Sequence, residues 1–390
     1  MQSLIEKYRI KLAETPTDYV RSIHDKIDWE DQLVAIAGAR GVGKSTLLLQ
    51  HIKLHDNIDK TLYVTADDLW FSDHSLYELA NTFYKLGGRN LYIDEIHKYK
   101  NWSQEIKNIY DSFSRLKVCY TGSSILDLQR GSADLSRRLL QYDMYGLSFR
   151  EYLALGHDIQ IPSHSLDQIL SQKVNFPLDR HRPLELFREY LKKGYYPYFK
   201  SSNYLLRLQN VVNRVIETDI PAATGITIST VVKLKRLLYI IAQSVPFKPN
   251  YSKIARDLDT SRGYVNDLMV WLDKAQLINI LRDDTHGISA LGKVDKVYLA
   301  DPNLCYAISD SEPNIGNIRE TIFLAWMKVT HSVTSSRESD FRVGKYTFEI
   351  GGKNKKHEQI RDIPDSFIVK DDIESGYGDV VPLWTFGLLY

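Results

Sequence analysis

Gly38-Ala39-Arg40-Gly41-Val42-Gly43-Lys44-Ser45 meets the G-x-x-x-x-G-K-[ST] pattern at every fixed position. Glycines at this spacing let the backbone curl, so that successive N–H groups turn inward on phosphate oxygens. A helix opening at Lys44 adds the positive end of its dipole. On this reading Gly38, Ala39, Arg40, Gly41, Val42, Gly43, Lys44, Ser45 and Thr46 form a phosphate cradle. Lys44 reaches the β- and γ-phosphates of a nucleotide, and the Ser45 hydroxyl ligates Mg²⁺. Fifty positions after Lys44, the apolar run Leu91-Tyr92-Ile93 is closed by the acids Asp94 and Glu95. Asp94 suits the metal, and Glu95 is placed to polarise an attacking water.

Further residues fall where the same chemistry would use them. Lys117-Val118-Cys119-Tyr120 is followed by Thr121-Gly122-Ser123-Ser124. Ser123, with Ser124 second, could orient the water or sense the γ-phosphate, and a plain Ser/Gly turn is the competing reading. Leu135-Ser136-Arg137-Arg138 then brings two guanidinium groups. Arg137 or Arg138 could stabilise charge on the transferring phosphoryl group, in cis or across a subunit boundary, or could serve as a structural ion pair.

These residues need a frame. Leu33 to Ala37, Leu62 to Thr65, Leu91 to Ile93 and Lys117 to Tyr120 are short apolar runs of the kind buried on both faces of a parallel sheet. Helical patterns fill the gaps at Ser75 to Lys85 and Trp102 to Phe113, which predicts βαβ units in a doubly wound α/β sheet. A fifth strand is expected over Leu139 to Tyr145. Ser148-Phe149-Arg150-Glu151 reads as a capping box opening the next helix. An acid directly after the metal-binding Asp resembles the P-loop ATPases that hydrolyse through a glutamate, and that resemblance implies an extra strand, here Lys117 to Tyr120, between the phosphate-loop strand and the Asp94 strand.

The phosphate loop, Tyr63-Val64-Thr65-Ala66-Asp67-Asp68, Tyr92-Ile93-Asp94-Glu95-Ile96-His97, Tyr120-Thr121-Gly122-Ser123-Ser124 and Gly146-Leu147-Ser148-Phe149-Arg150-Glu151-Tyr152 together resemble the AAA-type P-loop ATPase domain. More narrowly, the chain resembles the bacterial and archaeal ATPases in which that domain (AAA_14-like) is joined to a C-terminal DUF4143 region. The resemblance implies ATP rather than GTP. AAA-type ATPases commonly complete their sites with a neighbour's arginine, which makes a ring or dimer an expectation here and leaves open whether Arg137 or Arg138 would act.

The rest of the chain is less explicit. Leu184 to Ile220 is helical with a break at Gly194-Tyr195-Tyr196-Pro197, read as a turn in a helical connector without chemistry of its own. Helical periods at Val231 to Ala242, Tyr251 to Leu258 and Tyr264 to Lys274 precede strands at Leu277 to Leu281 and Lys293 to Leu299. That is the order of a winged helix. Its third helix, capped by Thr260 or Ser261, would present Ser261, Arg262, Tyr264 and Asn266 to DNA, with Asp267 opposing; a protein-contact module is the blander option.

By the same resemblance the last ninety residues occupy the place of a PD-(D/E)XK nuclease-like domain. The nearest matches are Glu320, Asp340, Glu349 and Lys353, with Gln359 following. The third motif reads Glu349-Ile350-Gly351-Gly352-Lys353, so its lysine comes two positions late and the site is read as degenerate. Glu320 has an alternative as the end of a capping box, Asn317-Ile318-Arg319-Glu320. The basic cluster Lys353, Lys355, Lys356, His357 and Arg361 precedes Asp362, Asp365, Asp371, Asp372, Glu374 and Asp379, and is read as a solvated face paired with that acidic tail.

The predicted organisation is a helical segment (1–30), a P-loop ATPase domain (31–155), a helical connector (156–229), a winged helix (230–300) and a degenerate nuclease-like α/β domain (301–390). Composition bounds the function. With 50 Lys+Arg against 49 Asp+Glu in 390 residues, bulk charge is not what would hold nucleic acid. A 43% hydrophobic, 25% charged chain excludes wholesale disorder. Cys119 and Cys305 have no metal-ligand spacing and are expected as reduced thiols in a cytoplasmic protein with no membrane partner. Three functions fit: an ATPase that moves its C-terminal modules, a nucleotide-regulated DNA-binding or DNA-cleaving protein, and an interaction protein that holds ATP without turning it over.

Overall fold

The computed structural model describes residues 1–122, 135–177, 181–244, 246–283, 293–309, 311–356 and 358–390. They form two compact units, Met1–Tyr145 and Gly146–Tyr390. Among the described residues no helix is long and apolar enough to cross a membrane.

The first unit is a parallel sheet of β1 (Leu33–Ala37), β2 (Thr61–Thr65), β3 (Asn90–Asp94), β4 (Lys117–Gly122) and β5 (Leu140–Asp143), in the order β2-β3-β4-β1-β5. β4 lies between β1 and β3, where the resemblance placed the extra strand. β1 is buried along its whole length, as its run of five apolar residues requires. The helices Lys44–His55, Leu76–Lys85 and Trp102–Ser112 supply the crossovers. Ser75 caps the second of them in a full capping box with Glu78. The helix Gln2–Glu14 packs Leu4, Tyr8 and Leu12 inward. Cys119 is buried and free.

The second unit opens as the sequence predicts, with Ser148 and Glu151 completing the capping box of the Phe149–His157 helix. Helices Pro183–Lys193 and Tyr204–Arg214 flank the Gly-aromatic-Pro break. Helices Ile228–Gln243, Tyr251–Asp257 and Arg262–Lys274 then precede an antiparallel pair, β6 (Ile278–Arg282) and β7 (Val294–Leu299). A second five-stranded sheet follows: β8 (Thr334–Ser335), β9 (Phe341–Val343), β10 (Tyr346–Gly351), β11 (Ser366–Lys370) and β12 (Val380–Pro382), in sequential order. The pairs β10–β11 and β11–β12 are parallel, and β8–β9 and β9–β10 antiparallel. The helix Ile315–Thr330 buries Ile322, Phe323 and Trp326.

One side chain fixes the Gly194–Pro197 break. Asn303 is fully buried. Its Oδ1 accepts from the backbone N–H of Gly194 (3.0 Å) and of Tyr195 (2.9 Å) and from the Tyr204 hydroxyl. Its Nδ2 donates to the carbonyls of Tyr190 (3.1 Å) and Leu191 (2.8 Å). An irregular turn inside a core leaves backbone groups that water cannot reach, and one carboxamide satisfies four of them. Asn303→Ala should cost about 3–5 kcal/mol, since each buried group stranded without a partner costs about 1–3 kcal/mol. A denaturant midpoint equal to that of the wild type would contradict this.

Candidate nucleotide site

β1 delivers the chain to Gly38, and the loop to Gly43 leads into the Lys44–His55 helix. Gly43, at the helix N-cap, has φ 103°, a left-handed turn that favours glycine. Gly38 is required by space: a Cβ there would lie 2.2 Å from the carbonyl oxygen of Met144, which is backbone and cannot yield. Arg21 supports the loop from behind, donating to the Val42 carbonyl and, through its other terminal nitrogen, to that of Tyr145, each at 2.9 Å. Nothing in local spacing marks Arg21 for this task. Lys44 is 7% exposed, and its ammonium donates to the carbonyls of Gly38 and Ala39, both at 2.8 Å. It therefore stays within its own loop, where phosphate oxygens would approach.

Asp94 ends β3, buried and gripped from both sides. The Tyr63 hydroxyl on β2 donates to its Oδ2 at 2.7 Å, and the Thr121 hydroxyl on β4 donates to its Oδ1. The Ser45 hydroxyl also bonds Tyr63, which links the two residues assigned to the metal through one phenol. Burial first, and then the neighbouring Asp94 charge, drive the Tyr63 phenol far above its ordinary value, so it remains a donor. Sequence reasoning missed Tyr63 and Thr121 as site residues. Tyr63 lies at the middle of β2 and Thr121 near the carboxyl end of β4, the strands next to β3, where parallel pairing aligns Tyr63 with Tyr92 and Tyr120 with Ile93.

Glu95 adopts φ 51° and ψ 45°, an uncommon conformation for a non-glycine residue. Its N–H is held by the Thr121 hydroxyl oxygen at 3.0 Å. Its Oε1 lies 3.5 Å from Arg40 Nη2. Burial raises its pKa, Arg40 opposes the rise, and the charges of Asp94 and Asp67 add to it. Ser123 and Ser124 lie outside the described residues. Arg138 is engaged by Asp111, with contacts of 3.0 and 3.3 Å, and stands over the Tyr110 ring. Arg137 is exposed.

In the second unit, the acids picked from the last ninety residues do converge. Lys296 Nζ lies 3.8 Å from Glu320 and 3.5 Å from Asp340. The Tyr298 hydroxyl donates to Glu320 at 2.7 Å, and Ser339 to Glu349 at 2.9 Å. Burial first, then the charges of Asp340 and Glu349, raise the Glu320 pKa. The cation paired with Glu349 is Lys355, whereas Lys353 is exposed. The chain turns after Gly351, with Lys355 N–H bonding the Gly352 carbonyl, and lays the Lys355 side chain across Gly351.

Three other expectations need correction. Asn314, not Asn317, caps the Ile315–Thr330 helix, so Glu320 is an interior helical residue rather than the end of a capping box. Within the acidic tail, Arg319 meets Asp371 and Arg188 meets Asp372, both cations from outside the basic cluster. Tyr264 turns to Thr230 (2.9 Å) rather than outward, with Ser261 as the helix cap. Gln359 donates to the Glu338 carbonyl.

Residues 30–153 match the AAA domain family AAA_14. The parallel sheet, phosphate loop and acid pair of the first unit are thus an AAA-type P-loop ATPase domain. Residues 184–314 match DUF8612, a domain of unknown function, in place of the DUF4143 region the sequence suggested. The uncharacterized protein MJ1637 of Methanocaldococcus jannaschii is 28% identical over 296 residues, 70% of this chain and 62% of that protein, so the chain spans less than two thirds of that relative. A second protein of that organism, MJ1544, is 21% identical over 351 residues, 85% of this chain and 74% of its own. Among solved structures, the Walker-type ATPase PABY2304 of Pyrococcus abyssi covers 78% of this chain and 95% of its own at 14% identity and a TM-score of 0.45. AMPPCP-bound DnaA from Aquifex aeolicus covers 69% and 86% at 11% identity and a TM-score of 0.30.

Proposed function

We propose that the AAA domain binds ATP at residues 38–46 and hydrolyses it, and that the nucleotide state is relayed to the C-terminal modules. The observation that carries hydrolysis is Glu95: a carboxylate beside the metal-binding acid, with its pKa raised toward working pH and its backbone held in an uncommon conformation. A protein that only stored nucleotide would have no use for it. Lys44 would exchange its loop carbonyls for phosphate oxygens, and the Gly38–Thr46 amides would take the remaining charge. The donor set of Ser45 hydroxyl and Asp94 carboxylate is all oxygen, as a hard cation requires, and Mg²⁺ held there would neutralise charge between the outer phosphates. Glu95 would accept the proton of the attacking water. With Arg138 engaged by Asp111, Arg137 is the better candidate to reach a neighbouring subunit, and Ser123 remains the candidate for orienting the water. Phosphate release with and without Mg²⁺, alongside calorimetry with ATP, tests this reading; background release without nucleotide binding would end it.

The order of three helices and a β-pair supports a winged helix over residues 230–300. Its third helix exposes Ser261, Arg262 and Asn266 beside Asp267. One cation balanced by one acid suits packing or protein contact better than a phosphate backbone. The C-terminal carboxylates are balanced by their own lysines, Lys296 and Lys355. We read this cluster as a structural remnant, with no metal needed to hold it together. Plasmid DNA in Mg²⁺ or Mn²⁺ should be nicked no faster by the wild type than by Asp340→Asn; clear wild-type cleavage lost in the variant would make the nuclease reading the correct one.

A further inference from the structure

We propose that His24, His51 and His55 form a site for a divalent transition metal of the zinc class, separate from the phosphate loop. His51 and His55 are one turn apart on the same face of the Lys44–His55 helix, and His24 reaches them from the 3₁₀ turn Ser22–Lys26. One ring nitrogen from each histidine lies within 4.8 Å of the other two. The inner pair, His24 Nε2 and His51 Nδ1, is 3.1 Å apart. Two imidazoles on one tetrahedral zinc, with Zn–N near 2.0–2.1 Å, place their nitrogens about 3.3 Å apart.

The outer nitrogens make the case sharper. His24 Nδ1 faces Asp25 Oδ1 at 3.2 Å, and His51 Nε2 faces Asp56 Oδ1 at 3.7 Å. Metal-bound histidines characteristically give their second N–H to a carboxylate, which fixes the tautomer and aims the lone pair at the ion. With His24 Nδ1–H turned to Asp25, its Nε2 presents a lone pair toward His51 Nδ1, and a cation between the two rings would use one lone pair from each.

Trp29 closes the site on one side, stacked on His51 with centroids 3.8 Å apart and planes 9° from parallel. His55 is exposed and leaves the other side open, for ion entry and for a solvent ligand in the fourth position. Three nitrogens suit zinc, cobalt or nickel and disfavour Mg²⁺, which prefers oxygen.

The test uses tag-free, chelator-stripped full-length protein titrated with Co²⁺ in Mg²⁺ buffer without nucleotide. One equivalent should bind with visible ligand-field absorption and be displaced by Zn²⁺. His55→Ala, at an exposed position, and His24→Gln should each weaken binding at least tenfold, whereas Asp94→Asn should bind as the wild type does. Thermal melting reports folding of every variant, and the Zn²⁺-induced rise in Tm should be lost in His55→Ala. Absence of ligand-field absorption, wild-type affinity in both histidine variants, or loss of binding in Asp94→Asn would each overturn the proposal.

Discussion

Glu95→Gln should bind ATP as the wild type does and release phosphate about 10²–10⁴-fold more slowly, the range that a positioned general base supplies. Glutamine preserves the shape of the side chain and leaves the backbone bond to Thr121 in place, so the effect isolates the loss of a proton acceptor. The pH profile gives a second readout. The active form of Glu95 is the carboxylate, and its pKa is raised by burial and by the nearby acids despite Arg40. The acid limb of the wild-type rate should therefore fall away above 4.5, the ordinary value for glutamate. Activity is present above the raised pKa and is lost as pH drops through it. That inflection should vanish in the variant. Equal phosphate release by both proteins, with ATP bound to each, would remove Glu95 from the mechanism, and release at background rate from both would leave a nucleotide-holding protein.

Lys44→Ala should weaken nucleotide binding by about 10–100-fold, corresponding to the roughly 1.5–3 kcal/mol that a hydrogen bond to a charged group is worth. Hydrolysis should be lost with it. The ammonium is nearly enclosed and bonded to two loop carbonyls. Its removal withdraws a cation from the phosphates and also leaves Gly38 and Ala39 oxygens without that donor. Lys44→Arg is not expected to rescue, because a planar fork cannot occupy the place of a compact ammonium. Calorimetry with a non-hydrolysable ATP analogue measures the loss, and an unchanged affinity would mean that the phosphates bind elsewhere.

Most of the first unit was legible because its signals are local. A strand buried on both faces announces itself as an apolar run, and the phosphate loop as a spacing of glycines. The position of β4 followed from the resemblance to P-loop ATPases that carry a glutamate after the metal-binding Asp. Contacts made across strands left no such trace. Tyr63 and Thr121 reach Asp94 through parallel pairing, and their types alone are ordinary for strands. Asn303 looked like any polar residue near a helix start, yet it organises a turn more than a hundred positions earlier. Lys353 is the nearest sequence match to the motif lysine, whereas the chain turns at Gly351-Gly352 and brings Lys355 back over Glu349. The convergence of Glu320, Asp340 and Glu349 was expected from resemblance alone; Lys296, which reaches two of them, was not anticipated.

The missing side chain at Gly38 has a mechanical consequence. The start of the phosphate loop and the Met144 carbonyl lie so close that no methyl group fits between them, and the Met144 N–H is itself tied to the Ala37 carbonyl at 2.7 Å. The segment beginning at Leu135, with Arg137 and Arg138, runs through β5 into that junction. A neighbour pulling on Arg137 would thus tug on a short, slack-free tether, and its tension would reach the loop without any intervening side chain to absorb it.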